Sequence, residues 1–174
     1  MTVKQKSILN VALQLFADNG YDATSTKNIA IEAGVSEGLI FRHFQNKEGL
    51  LSAILSEGGN KIANYIAPIF ELEDPKLMLT YIIEIPFKIK KKEHAFWRLL
   101  YALKWQKKEY NTDATKVLEE LASKAFKTLG YADPATEAKL LLLFLDGAAT
   151  HILLKDKQTD LKLILESLKQ KYNL

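Results

Sequence analysis

Apolar residues recur at helical spacing along nearly the whole chain. Residues 4–18 carry Ile8, Val11, Ala12, Leu15 and Phe16, the stripe of an amphipathic helix. Asn19-Gly20 stops it, with Tyr21 placed for the hydrophobic contact that follows a glycine cap. Residues 26–44, TKNIAIEAGVSEGLIFRHF, then read as two short helices joined by a tight turn. Ala30 is small enough for the helices to cross closely, Gly34 can take the left-handed conformation of the turn, and Ile40 points back toward Val35 and Ile29. Ser25 or Thr24 can cap the first of these helices, and Ser36 the second. Such a unit places its second helix in the major groove of DNA, with its N-terminal residues at base edges.

The pattern stays helical beyond residue 47. Leu50, Leu51, Ile54, Leu55, Ile62, Ile66 and Ile69 continue it to about Phe70, with Gly58-Gly59 in the middle. A glycine pair can kink or break a helix, so this stretch is expected as one bent connector or two segments. Asp74-Pro75 opens the next helix and Pro86 interrupts it. Further helices are expected over 93–107, 113–129 and 134–154, and a last one from Thr159 or Asp160 to near Tyr172. The sequence carries no strand pattern and no repeat.

Composition narrows the function. The chain has 174 residues and no cysteine, which excludes disulfides, thiol catalysis and cysteine-ligated zinc. The start is polar rather than signal-like, and the longest apolar run, Leu140 to Leu145, is bracketed by Lys139 and Asp146, so a cytoplasmic, non-membrane protein is expected. Formal net charge is +3, but residues 1–50 hold five basic groups (Lys4, Lys6, Lys27, Arg42, Lys47) against five acidic ones (Asp18, Asp22, Glu32, Glu37, Glu48). DNA affinity must then come from placement: Lys27, Arg42, His43 and Lys47 near phosphates, aided by free N–H groups at helix N-termini.

One set of residues resembles a known family. Phe16, Gly20-Tyr21, Thr24-Ser25-Thr26, Ile29-Ala30, Ala33-Gly34-Val35-Ser36, Gly38, His43-Phe44 and Asn46-Lys47-Glu48-Gly49-Leu50 look like the DNA-binding region of TetR/AcrR transcriptional regulators. The resemblance covers about residues 5–54. It implies an all-α homodimer: a three-helix helix-turn-helix DNA-binding domain over 1–46, then a larger helical effector-binding and dimerisation domain over 47–174. It also implies a ligand-responsive regulator, more often a repressor, bound to a palindromic operator and released by a small molecule. The resemblance places Ser25, Thr26, Lys27, Ser36, Glu37, Gly38, Phe41, Arg42, His43 and Lys47 at the DNA. Phe41 is a departure, because the family commonly has a tyrosine there whose hydroxyl reaches a phosphate. Arg42 can supply a charge-assisted contact instead.

Several of these residues admit two readings. Glu37 either suits the positive end of the helix dipole or accepts from a cytosine amino group. Gly38 either lets the backbone approach DNA or answers a packing need. Leu39 and Phe41 either meet a thymine methyl or a sugar, or are buried. His43 is a phosphate donor or a packed edge residue.

The C-terminal two thirds are rich in aromatics. Trp97, Tyr101 and Trp105 recur every four residues on one helix face and can line an effector pocket with Phe144, while Tyr81 or His94 orients the ligand; the same residues can equally be core. Leu141, Phe144, Ala148 and Ile152, with Ile164 and Leu168 of the last helix, are expected to form a four-helix dimer interface. His43, His94 and His151 lie far apart without metal-site spacing, so no enzyme, metal or cofactor is expected. The rival reading is a small-molecule carrier or protein-interaction adaptor that keeps the fold without specific DNA binding.

Overall fold

The computed structural model describes residues 1–106, 113–154 and 160–174. All regular structure among them is helical: α1 (Val3–Asn19), α2 (Thr26–Glu32), α3 (Glu37–Phe44), α4 (Lys47–Ile66), α5 (Pro75–Glu84), α6 (His94–Gln106), α7 (Asp113–Thr128), α8 (Pro134–Leu154) and α9 (Leu161–Lys171). Short 3-10 turns at Ala67–Glu71, Pro86–Lys88 and Lys91–Glu93 link the middle of the chain. Asp74 caps α5 by accepting from the Lys76 and Leu77 N–H groups, and Asp160 does the same for α9. No helix among the described residues is long and apolar enough to cross a membrane.

Two compact units divide the chain. The first joins Met1–Lys61 to the segment that begins at Lys91 and contains α6. Ile8, Leu9, Ala12 and Phe16 of α1, Ile29 and Ala30 of α2, Ile40 and Phe44 of α3, and Leu50 and Ile54 of α4 are among its buried residues. α6 packs against α1, and Arg98 on α6 pairs with Asp18 on α1 at 2.5 Å. The glycine pair does not divide α4, which runs unbroken from Lys47 to Ile66. Gly58 instead accommodates the buried ring of Phe96: a Cβ there would lie 1.8 Å from a ring carbon. Gly59 faces open space.

The second unit comprises Ile62–Lys90 with α7, α8 and α9. Leu79, Ile82, Ile83, Phe126, Ala138 and Leu141 are fully buried in its interior. α7 ends in a Schellman turn at Gly130 (φ 79°), where Tyr131 N–H reaches Phe126 O at 3.1 Å and the two rings pack 4.8 Å apart. α9 is tied to α5 by Glu84, whose carboxylate receives Lys88 and Lys169 at 2.7 Å each. Burial alone would raise the Glu84 pKa, but the hydrogen bonds and charges of the two lysines outweigh it and hold the group below its ordinary value.

α8 shows apolar residues on two faces. Leu141 and Leu168 are core residues of their own unit, and Ala148 is also buried, so none of the three is open to a partner as the periodicity suggested. Ile152 and Ile164 are half-buried. The apolar face turned outward is Leu140, Leu143, Phe144 and Leu154, from 42% to 73% exposed. Leucine and alanine occupy so much of the circumference of α8 that spacing alone cannot tell its inner face from its outer one.

Candidate nucleic-acid interface

The α2–α3 turn is a complete Schellman motif. Gly34 (φ 64°) donates to Ile31 O at 3.1 Å and Val35 to Ala30 O at 2.9 Å. Ser25 caps α2 by accepting from Asn28 N–H at 3.1 Å, and Ser36 caps α3 by accepting from Leu39 N–H at 3.3 Å. Thr24 has a different task from the capping role open to it in the sequence. It is buried, and its hydroxyl donates to Gly20 O at 2.8 Å, holding the α1–α2 loop closed.

α3 presents two opposite faces. Ile40 and Phe44 are buried, whereas Gly38, Phe41 and Arg42 are exposed on the other side. Phe41 is 45% exposed, which removes the reading of it as a core ring, while Leu39 is half-buried. A Cβ on Gly38 would meet no heavy atom within 4 Å, so no packing within the chain requires glycine there. Arg42 is exposed, as is Lys27 at the start of α2.

The remaining expected contact residues are engaged inside the protein. Glu37 accepts from the Thr26 hydroxyl at 2.6 Å, linking the openings of α2 and α3. Lys47 donates to Tyr21 O at 3.1 Å and Asp22 O at 3.4 Å, with its ammonium 4.4 Å from the centre of the Tyr21 ring. Beneath it the Tyr21 hydroxyl is pushed up to about 12, first by burial and then by the hydrogen-bonded Glu48 carboxylate. His43 Nδ1 lies 3.3 Å from Gln5 Nε2. The Gln5 oxygen accepts from Thr2 N–H at 2.7 Å, which turns the Gln5 amino group toward the ring. Nδ1 of the neutral ring must then accept, leaving the ring proton on Nε2 as a donor.

Three supports carried a local signal whose purpose became clear only in three dimensions. Gln5 is the fourth residue of Thr2-Val3-Lys4-Gln5, a capping box on α1. Asn46 opens α4 by accepting from Gly49 N–H at 2.8 Å. Gly49 has no freedom to be anything larger, because a Cβ would lie 1.8 Å from Phe44 O.

The expected effector residues fall in different units. Tyr81 and Phe144 belong to the second; His94, Trp97, Tyr101 and Trp105 belong to the first. The Trp105 side chain lies outside the described residues. Tyr81 carries Lys88 over its ring at 4.7 Å, and Tyr101 carries Lys104 at 5.6 Å. His94, Trp97 and Tyr101 are half-buried and Phe144 is exposed.

Residues 8–54 match the family described as bacterial regulatory proteins, tetR family. Over 57 residues the chain is 53% identical to an uncharacterized HTH-type transcriptional regulator, YvkB, of Bacillus subtilis (strain 168), a match covering 33% of this chain and 30% of that protein. The chain therefore spans only about a third of the length of such curated relatives. The fold is similar over nearly its whole length to a TetR-like transcriptional regulator from Rhodococcus sp. RHA1 (TM-score 0.81, 21% identity, covering 98% of this chain and 96% of the other). It is also similar to AibR in complex with isovaleryl coenzyme A and operator DNA (TM-score 0.71, 21% identity, 95% and 96%). At these identities the likeness is one of fold.

Proposed function

We propose that this chain, whose residues 8–54 match the tetR family of bacterial regulatory proteins, is a transcriptional regulator of that family: a repressor that binds a palindromic operator as a homodimer and leaves it when a small hydrophobic or aromatic effector binds. The observation that carries this reading is the outward face of α3. Gly38, Phe41 and Arg42 stand exposed there on a helix whose other face is buried, whose start is capped by Ser36 and whose end is closed by Gln45 N–H on Phe41 O. A helix held this firmly, with its open face free of packing duties, has the build of a reading element.

In this reading residues 1–46 form the DNA-binding domain, and residues 47–174 bind effector and dimerise. Lys27 and Arg42 meet phosphates, His43 donates from Nε2, and Ser25, Thr26, Ser36 and Glu37 fix the helix ends that face the backbone. Lys47 has two donors on the Tyr21 and Asp22 carbonyls, leaving one for a phosphate. The exposed leucines of α8 with Phe144 favour association with a second copy, since contiguous apolar surface of this kind is costly in water. Two reading heads double the contacts of a domain with no net charge; about eight phosphates per dimer imply a slope near −7 of log affinity against log salt. The effector acts by population shift, binding best where the heads no longer match major grooves about 34–36 Å apart. AibR's isovaleryl coenzyme A supports an acyl thioester as the first effector class to try.

Selection from random duplex DNA at near-physiological salt tests the reading, with Arg42→Ala in parallel. We expect a palindromic consensus for the native protein and its loss in the variant. No enrichment from well-folded protein would overturn the regulator reading in favour of an adaptor or carrier. A consensus whose binding no acyl thioester weakens would remove that effector class.

A further inference from the structure

We infer that Phe41 confers specificity by packing on the C5-methyl group of a thymine in the major groove. This inference rests on the reading of α3 as the DNA-contacting helix. Glu37 is occupied by Thr26 at 2.6 Å, His43 by Gln5 at 3.3 Å, and Lys47 by two carbonyls of the α1–α2 loop. Each of these polar groups is thus held against a neighbouring element, with His43 Nε2 and one Lys47 donor left over for phosphate. The outward face that remains on α3 is Gly38, Phe41 and Arg42.

Phe41 is the one large apolar side chain on that face, and it is 45% exposed with no core to enter. Gly38 lies three residues earlier on the same face of the helix. That patch is empty: a Cβ on Gly38 would have nothing within 4 Å. Phenylalanine has no donor or acceptor, so it can favour a base only through the one apolar feature of the major groove, the thymine methyl. Arg42, immediately beside it, is left for phosphate or guanine. The head thus selects with an apolar probe and anchors with a cation.

The test uses the operator selected by the full-length protein. Each thymine is replaced in turn by deoxyuridine, which removes the methyl group and nothing else. We expect one thymine per half-site at which replacement weakens binding about fourfold, and about 15-fold when both half-sites are changed. Phe41→Ala should bind the thymine and uracil duplexes equally well, with unchanged thermal stability because the ring is exposed. An operator indifferent to every uracil replacement would overturn the inference while leaving the regulator reading intact. So would a Phe41→Ala variant that still prefers thymine. If Phe41→Ala loses affinity but no uracil duplex does, the ring meets a sugar and the methyl assignment is wrong. Failure to select any operator would overturn both readings together.

Discussion

In the first unit Thr24, Glu37 and Lys47 each place a polar atom on a neighbouring element. The second unit closes over Leu79, Ile82, Phe126 and Leu141, and its polar ties gather where α9 and the chain end meet α5 and α8: Glu84 with Lys169, Tyr172 with Glu137, and Lys76 with Asn173 O. A hydrogen bond needs a particular donor and acceptor at fixed positions. An apolar interior needs about the right volume and tolerates exchange among Leu, Ile, Val and Phe. The two modes of construction explain why recognisable likeness to a family extends over residues 8–54 while the larger unit resembles its neighbours in fold alone.

The contrast can be broken by single substitutions. The largest effect is expected from Phe126→Ala, which empties a fully buried site in the second unit and should cost about 4 kcal/mol in urea denaturation. Phe126→Leu should cost much less; an equal loss would mean that this interior is as exacting as the polar joints of the first unit. Next is Gly49→Ala, expected to cost about 3 kcal/mol, because the added carbon meets the carbonyl of Phe44 rather than a side chain that can swing away. Gly59→Ala is its control, in the same helix and facing open space, and should stabilise by about 0.8 kcal/mol. Hydrogen exchange at α3 and α4 would show whether the Gly49 loss is confined to the head. Thr24→Val keeps the shape but strands the Gly20 carbonyl, and should cost about 1–2 kcal/mol.

The smallest effect is one the two units share. Tyr21 beside Glu48 and Tyr172 beside Glu137 both have their hydroxyls pushed up to about 12, chiefly by burial. Since the folded values lie above the ordinary 10.0, this stabilisation is complete below pH 10 and is lost as pH rises from about 10 toward 12. Tyr21→Phe should flatten the alkaline decline of the first unit and Tyr172→Phe that of the second. Thermal melts between pH 9 and 12 would show either variant declining as steeply as the native protein if this assignment is wrong.

Legibility in the sequence followed the same division. The α2–α3 turn was visible because Gly34 has one conformational reason to be there, and the caps at Ser25 and Ser36 because a short polar residue before an apolar stripe has few other uses. Gly58 misled because a glycine inside a helix signals a bend as readily as a close approach, and nothing local announces Phe96 thirty-eight residues later. Leu141 and Leu168 were legible as apolar but not as inward-facing. The engaged states of His43 and Lys47 were hidden for a related reason: Gln5 and the carbonyls of Tyr21 and Asp22 are distant in sequence, and a carbonyl leaves no trace in residue type.

The packing of α6 against α1 also governs the order in which the protein is made. The first unit is discontinuous: the chain leaves it after Lys61 and comes back from Lys91. During synthesis α1, α2 and α3 emerge well before Phe96 is available to cover Gly58 or Arg98 to meet Asp18. At about 5–20 residues per second the wait lasts a few seconds. Through that interval the face of α1 that receives α6 is bare to the cell, and the ribosome must carry an unfinished head while it builds the front of the second unit.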